Sequence, residues 1–411
     1  MRILFVAFPD SIHTVRWIRQ LEGTGWEVYL FPSADVPVIH DEMPSFVSLF
    51  VPLYMAKHPI WFVRKNRRGD FFVALCLLFV YLLLKTWCRI CGKKDHLRYL
   101  HFPLKLLIRL KRPEVIHSLE TQNAGYLVAD IKKKGGGKFP VWVHTNWGSD
   151  LYLFGRLEKH RKKVTEVLSS CDHYLCECQR DITLAKSFGY TGPLYEPYPN
   201  TGGFDLVKVG MLRGKLRPSQ RKIVLVKGYQ HWAGRALTAL RALELCADAL
   251  RGYEVWLYSV QSEAVAIKAE LFSQTTGIST QVLPLDSSHE AVLDLFSRSR
   301  IYLGLSIADA ISTSLLEAIV TGAFPIQSCT SCADEWIVDG ETGFVVPPED
   351  PEKVAIALRR ALTDDVLVDR AAELNWERNR ERFDGKILAQ KTIQFYTSLS
   401  KTERKEHGNV Y

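Results

Sequence analysis

Apolar residues in this chain fall mostly in short unbroken runs separated by amphipathic stretches, the pattern of buried parallel strands joined by crossover helices. Residues 2–8 form the first run. Residues 11–23 follow with Val15, Trp17, Ile18 and Leu21 at helical spacing, and 26–31 is a second run, so the chain opens on a β-α-β unit. Further strands are predicted at 114–117, 141–144 and 173–176, with room for helices between them. Polar, Gly- and Pro-rich sequence at 197–218 reads as an interdomain stretch. A second series of strands is predicted at 222–226, 254–259, 280–283, 301–305 and 323–327, and the last stretch, RNRERFDGKILAQKTIQFYTSLS, is predicted helical. The class is α/β with two doubly wound parallel sheets. A length of 411 residues supports this, because it is too long for one ordinary core. No internal repeat or low-complexity tract interrupts the pattern.

One run differs from the rest. Residues 71–84, FFVALCLLFVYLLL, are uninterrupted apolar, with Arg64, Lys65, Arg67 and Arg68 before them and Lys85, Arg89, Lys93, Lys94 and Arg98 after. A spanning helix needs about 20 residues, so the run is too short to cross a bilayer. Two readings stay open: a buried core helix, or a helix lying on an anionic membrane surface, with the basic flanks within 64–98 on the lipid headgroups.

The formal charge is +8 and it is uneven. Residues 1–205 hold 28 Lys/Arg against 19 Asp/Glu, residues 206–411 hold 25 against 26, and 51–138 alone holds 18 against 5. That local excess of 18 − 5 = 13 suits an anionic lipid or a nucleotide. Nucleic acid is not expected, since no finger spacing, RNA-binding signature or basic-region zipper accompanies the charge. The 9 cysteines are odd in number and scattered, which points to reduced thiols and a cytoplasmic setting. Cys88/Cys91 and Cys329/Cys332 have zinc-like spacing but lack companion pairs, so no metal is expected. MRILFVAF runs into Pro9 and Asp10 without a small-residue cleavage site and reads as a strand, not a signal peptide.

Candidate chemistry concentrates in 306–348, SIADAISTSLLEAIVTGAFPIQSCTSCADEWIVDGETGFVVPP. After the strand at 301–305, Ser312, Thr313 and Ser314 supply N-cap chemistry for a helix ending near Val320. Such a helix start, with free N–H groups and the positive end of the helix dipole, is a natural diphosphate site. Glu317 lies about one turn inside, where a carboxylate can accept hydrogen bonds from ribose hydroxyls. An ordinary crossover helix with capping hydroxyls remains the plain alternative.

The segment resembles the donor-binding element of retaining glycosyltransferases of family 4, in which two acids lie eight positions apart. Here these are Asp309 and Glu317, with Asp where the family has Glu. TGAFPI and VDGETGFVVPPEDPEKVAIALRRAL are similar to the family as well. The resemblance implies the GT-B fold, two Rossmann-like domains facing a cleft with the C-terminal helix crossing back to the first. It implies an acceptor-binding domain at 1–205, with 385–411 packing back, and a nucleotide-sugar-binding domain at 206–384.

By the same resemblance, Lys227 and Arg235 in KGYQHWAGRALTALRAL stand where the family carries cations that neutralise the departing diphosphate, with Gln230 and His231 between them. His144 in VWVHTNWGSD takes the part of a loop histidine that touches the donor sugar. Main-chain atoms near Leu285 would hold the base. Ser11 and His13 after the first strand, His117 and Gln122 in VIHSLETQNAGY, and Asn146 are acceptor-side candidates. Asp150 could instead cap the helix that follows it.

The implied activity is transfer of a sugar from a nucleotide sugar to a glycan or lipid-linked acceptor with retained configuration. No cofactor or metal is required, and the implied setting is cell-surface polysaccharide assembly at the inner face of the cytoplasmic membrane. Two alternatives stay open: a nucleotide-sugar epimerase of the same fold, and a binding scaffold that has lost catalysis.

Overall fold

A computed structural model of the protein describes residues 1–34, 38–50, 79, 83, 86, 90, 98–135, 138–213 and 215–407. The apolar run at 71–84 therefore lies outside the described residues except for Phe79 and Leu83, which are helical and exposed, as is Ile90. The chain divides into two compact units, Met1–Gly202 with Leu388–Tyr411, and Gly203–Ile387.

The first unit is built on a six-stranded parallel sheet in the order β3-β2-β1-β4-β5-β6. The strands are β1 (Arg2–Ala7), β2 (Glu27–Pro32), β3 (Val47–Leu49), β4 (Val115–Leu119), β5 (Val141–Thr145) and β6 (His173–Leu175). Helices α1 (Ile12–Arg19), α2 (Arg98–Lys111), α3 (Tyr126–Lys134), α4 (Glu158–Ser170) and α5 (Gln179–Ser187) cover it. Side chains of β1 alternate between two cores. Leu4 and Val6 pack with Leu104, Leu127 and Val164, while Ile3, Phe5 and Ala7 pack with Val15, Trp17 and Ile18. Burial on both faces is why the strands read as continuous apolar runs, each large side chain contributing roughly 1.5–3 kcal/mol.

The second unit repeats the plan with strand order β12-β11-β10-β7-β8-β9. Its strands are β7 (Ile223–Lys227), β8 (Glu254–Tyr258), β9 (Thr280–Val282), β10 (Ser299–Gly304), β11 (Phe324–Ser328) and β12 (Phe344–Val346). Helices α6 (Leu206–Arg213), α7 (Ala236–Leu245), α8 (Glu263–Thr276), α9 (His289–Arg298), α10 (Thr313–Thr321), α11 (Pro351–Thr363) and α12 (Asp365–Asn379) surround a single core. The last helix, α13 (Gly385–His407), brings Phe395, Tyr396 and Leu399 into the core of the first unit. There the Tyr396 hydroxyl accepts from Trp17 Nε1 at 3.0 Å. All four edge strands, β3, β6, β9 and β12, are three residues each, and of these β3 and β12 were not predicted from the sequence.

In both units the strand order reverses at the centre, between β1 and β4 and between β7 and β10. The carboxyl ends of those strands open a crevice because the helices that follow leave to opposite faces of the sheet.

Candidate functional site

In the second unit the crevice is stitched closed at its base by backbone pairing between the loops after β7 and β10. Arg235 N–H donates to the Leu305 carbonyl and Ile307 N–H to that of Ala233, both at 3.0 Å, and Gly234 bridges Ser306. Glycine is required at 234, where a Cβ would sit 2.3 Å from the Tyr229 carbonyl oxygen. Gly228 is as constrained, with a Cβ falling 2.5 Å from the Val260 side chain.

Lys227 ends β7 half-buried, its ammonium donating to Ser312 Oγ at 3.3 Å and lying 4.5 Å from the Tyr229 ring centroid. Burial alone would push its pKa down, but Tyr302, Tyr229, Asp309 and Glu317 outweigh that and hold it above the ordinary lysine value. The ammonium is thus held charged in a crevice.

Ser312 occupies the N-cap position of α10, yet its side chain makes no capping bond. This corrects the expected capping role: the hydroxyl serves Lys227 instead. Among the described residues no side chain caps the start of α10, and Ser312 and Ser314 are buried there while Thr313 is half-buried. An uncapped helix start beside a lysine ammonium can hold a diphosphate.

The two acids differ from the expectation in their contacts. Glu317 is buried one turn into α10, with Oε1 2.8 Å from His289 Nε2 at the start of α9. Asp309 is half-buried in the turn after β10, where its Oδ1 accepts from Ala310 N–H at 2.9 Å.

Arg235 is not a freestanding cation. Its Nε pairs with Glu349 at 2.9 Å, and its Nη1 reaches the carbonyls of His231, Trp232, Ala233 and Gly234 at 3.0–3.4 Å. It shapes the β7 loop from within. Gln230 likewise spends its Oε1 on Leu237 N–H at the start of α7. An aromatic series continues outward from Tyr229 to His231 and the exposed Trp232, with ring centroids 5.5 and 5.4 Å apart. Leu285 is exposed in the loop after β9, whose Leu283 N–H is committed to the Leu257 carbonyl.

In the first unit, burial removes three candidates from the strand ends. His144 is inaccessible, its Nδ1 2.9 Å from Ser118 Oγ and its Nε2 3.1 Å from Thr121 Oγ1. Burial drives its pKa to about 3, so it is a neutral core residue. His117 is equally buried between Tyr396 Oη at 2.5 Å and Thr145 Oγ1 at 2.7 Å, and burial followed by the nearby His144 lowers its pKa well below the usual value. Asn146 is locked between Tyr174 Oη and Asp181 Oδ2. The physical reason is strand length. β4 and β5 continue to Leu119 and Thr145, so both histidines lie inside central strands covered on both faces.

The expected Ser11, His13 and Gln122 do lie after the carboxyl ends of β1 and β4, as does Glu120, with Trp147 and Asp150 after β5. Ser11 accepts from His13 N–H at 3.2 Å as the N-cap of α1, and the half-buried His13 ring lies 5.6 Å from Trp147. Gln122 is half-buried and donates to the Asp150 carbonyl at 3.2 Å. Glu120 holds φ at +76°, a left-handed conformation rare for a non-glycine, and its carboxylate caps the single π-helical turn Thr121–Gly125 through Asn123 and Ala124 N–H. Asp150 accepts from Thr121 and Trp147 N–H, both at 2.8 Å. Burial raises the pKa of both carboxyls. Trp147, Tyr229, Tyr302 and His289 were not singled out from sequence; the aromatic directly after Lys227-Gly228 was the available signal.

Residues 219–380 match the sequence profile of the family Glycosyl transferases group 1 and form a domain of that family. Among curated proteins none matches the chain by sequence. Sucrose-phosphate synthase of Thermosynechococcus elongatus is similar in structure, with a TM-score of 0.68 at 16% identity over 98% of this chain and 100% of that one. The α,α-trehalose 6-phosphate synthase of Burkholderia multivorans gives 0.66 at 14% identity, covering 99% of each chain. HepE of Anabaena, solved in complex with UDP and glucose, gives 0.62 at 14% identity over 97% of this chain and 100% of that one. These likenesses show the GT-B fold.

Proposed function

We propose that this chain, whose residues 219–380 are a group 1 glycosyltransferase domain, transfers a sugar from a nucleotide sugar to a glycan or lipid-linked acceptor with retention of configuration. The observation that carries the reading is the Lys227 ammonium on Ser312 at the uncapped start of α10. A donor diphosphate placed there meets a fixed cation and oriented N–H groups where charge develops as the bond from the anomeric carbon to the phosphate oxygen breaks. The acceptor hydroxyl attacks from the face the diphosphate leaves, and its proton passes to the departing phosphate oxygen. No side chain is needed as a covalent nucleophile, and no metal is assigned a step. Glu317 would meet the ribose, Asp309 the sugar, and Leu285 main-chain atoms the base.

Ser11, His13 and Gln122 at the edge of the first unit are the acceptor-side residues in this reading. Membrane attachment through 64–98 belongs to it as well, supported by the exposed helical Phe79, Leu83 and Ile90 between basic flanks. Among the described residues no helix is long and apolar enough to cross a membrane. Absence of binding to anionic liposomes at low salt would remove this part.

HepE was solved with UDP and glucose, so UDP-sugars are the first donors to test. Calorimetry with UDP and GDP, followed by product analysis with and without acceptor, tests the whole. Nucleotide binding with sugar transfer is expected. An epimerised nucleotide sugar formed without acceptor would indicate an epimerase. No nucleotide binding would favour the scaffold reading, to which the short Asp309 and the His289-paired Glu317 lend support.

A further inference from the structure

A cavity of about 700 Å³ opens in the second unit at the opposite end of the strands from Lys227. Its walls include Arg213 at the end of α6, Arg221 just before β7, Gly322 just after α10, and Arg370 and Trp376 on α12. These residues lie at the amino ends of β7, β10 and β11, away from the donor crevice.

The cavity gathers like charge. Arg213, Arg217, Arg221 and Arg370 line it against only Asp369 and Glu373, so the balance is 4 − 2 = +2. Two of the guanidinium groups converge on one point: a Cβ at Gly322 would lie 3.1 Å from Arg213 Nη1 and 3.6 Å from Arg221 Nη2. The acids compensate weakly. Asp369 spends both oxygens on Ser219, at 2.9 Å to N and 2.8 Å to Oγ, and the mostly exposed Glu373 stands 3.6 Å from Arg213 Nη2.

Arg221 is fully buried and satisfied by carbonyls of Leu216, Ser299 and Thr321, which are neutral. Arg213 Nη2 donates to the Ala372 carbonyl at 2.7 Å, its guanidinium lies 5.2 Å from the Trp376 ring centroid, and its Nη1 is buried with no partner. Burial, then the neighbouring Arg213, lowers the Arg221 pKa to about 10 despite the opposing charge of Asp369, so the two guanidinium groups crowd each other more than the acid relieves them. Guanidinium groups bind phosphate oxygens through paired N–H donors, and a surplus of two charges matches a phosphate monoester dianion.

We propose that this cavity is a second, non-catalytic site for a phosphate-bearing small molecule, with Arg213, Arg217 and Arg370 taking the phosphate oxygens against the Trp376 wall. The volume admits a sugar phosphate as well as inorganic phosphate. The site lies at the carboxyl end of α10, whose amino end is the proposed donor crevice, but its existence does not depend on that assignment.

The test is calorimetric titration of the full chain with inorganic phosphate and with glucose 6-phosphate at constant ionic strength set by chloride. Saturable binding is expected in wild type and in Lys227→Ala, with at least a tenfold loss in Arg217→Ala/Arg370→Ala, whose exposed side chains are not needed for folding. Arg213→Gln should show the same loss. Tighter binding of glucose 6-phosphate identifies an organic monoester as the natural class, and equal binding identifies inorganic phosphate. No binding in wild type, unchanged binding in the double variant, or loss of binding in Lys227→Ala would overturn the proposal.

Discussion

Glu317 Oε1 and His289 Nε2 lie 2.8 Å apart, joining the second turn of α10 to the first residue of α9. Glu317 is buried while His289 is about one-third exposed, so the imidazole fixes one oxygen of a buried carboxylate. Among the described residues no side chain is hydrogen-bonded to the second oxygen, Oε2, the atom that would meet a ribose hydroxyl in the proposed donor complex. Glu317→Gln preserves shape and removes charge. It should weaken UDP binding by roughly tenfold, about 1.4 kcal/mol, in a calorimetric titration. His289→Ala should destabilise the fold by about 1–3 kcal/mol because it strands a buried carboxylate. Unchanged nucleotide affinity in Glu317→Gln would remove Glu317 from the site.

In the proposed reaction Lys227 would act on charge that appears only as the donor bond breaks. Lys227→Ala should reduce kcat by about 10²–10³-fold, the scale seen on removing one preorganised donor. Thermal unfolding should change little, since the ammonium makes a single long bond to Ser312. Turnover at the wild-type rate with any accepted donor would refute the role.

Gly234→Ala tests the loop by sterics alone. The new methyl would meet the Tyr229 carbonyl, a backbone atom that cannot rotate away. A stability loss of about 1–3 kcal/mol is expected on chemical denaturation, with a larger loss of donor binding because Tyr229 carries the loop beside Lys227. A variant with native stability and affinity would show that the loop is plastic.

Acid should destabilise the first unit through its two core histidines. The folded pKa of His144 is about 3 against an ordinary 6.5, and that of His117 is also lowered. In the unfolded chain each takes up a proton near pH 6.5 that the folded chain refuses. Their contribution is therefore complete above pH 6.5 and is lost as pH falls from there toward the folded pKa, at up to about 1.4 kcal/mol per pH unit for each histidine. His144→Gln should flatten the dependence of stability on pH between 6.5 and 4 relative to wild type. Parallel curves would mean that His144 ionises freely in the folded protein.

The Tyr396 hydroxyl binds both Trp17 Nε1 and His117 Nδ1, tying α13 to the first unit's core. Tyr396→Phe leaves both buried partners short of a bond. A loss of about 1–3 kcal/mol is expected on urea unfolding. Stability equal to wild type would show that the two partners find other bonds.

Much of the architecture is written locally. Runs such as those of β1, β5 and β10 are apolar throughout because a parallel sheet buries both faces, and that requirement acts on each strand by itself. The Ser312-Thr313-Ser314 start of α10 and Glu317 one turn later were likewise placed by helix periodicity. The three-residue edge strands β3 and β12 were missed, although β6 and β9, equally short, were found.

What each polar side chain does was decided elsewhere. His117 and His144 were read at the very ends of their strands, yet one or two further strand residues put them inside the core, where Ser118, Thr121, Thr145 and Tyr396 saturate them. Arg235 meets Glu349 across 114 positions, and Lys227 meets Ser312 across 85. The sequence by itself determined two parallel-sheet units and the positions of most of their strands to within a residue or two, because burial and backbone hydrogen bonding constrain every residue of an element alike. Only the tertiary structure decided which cation is held in the crevice and which histidine is sealed, because those depend on single partners brought close by the order of strands in the sheet.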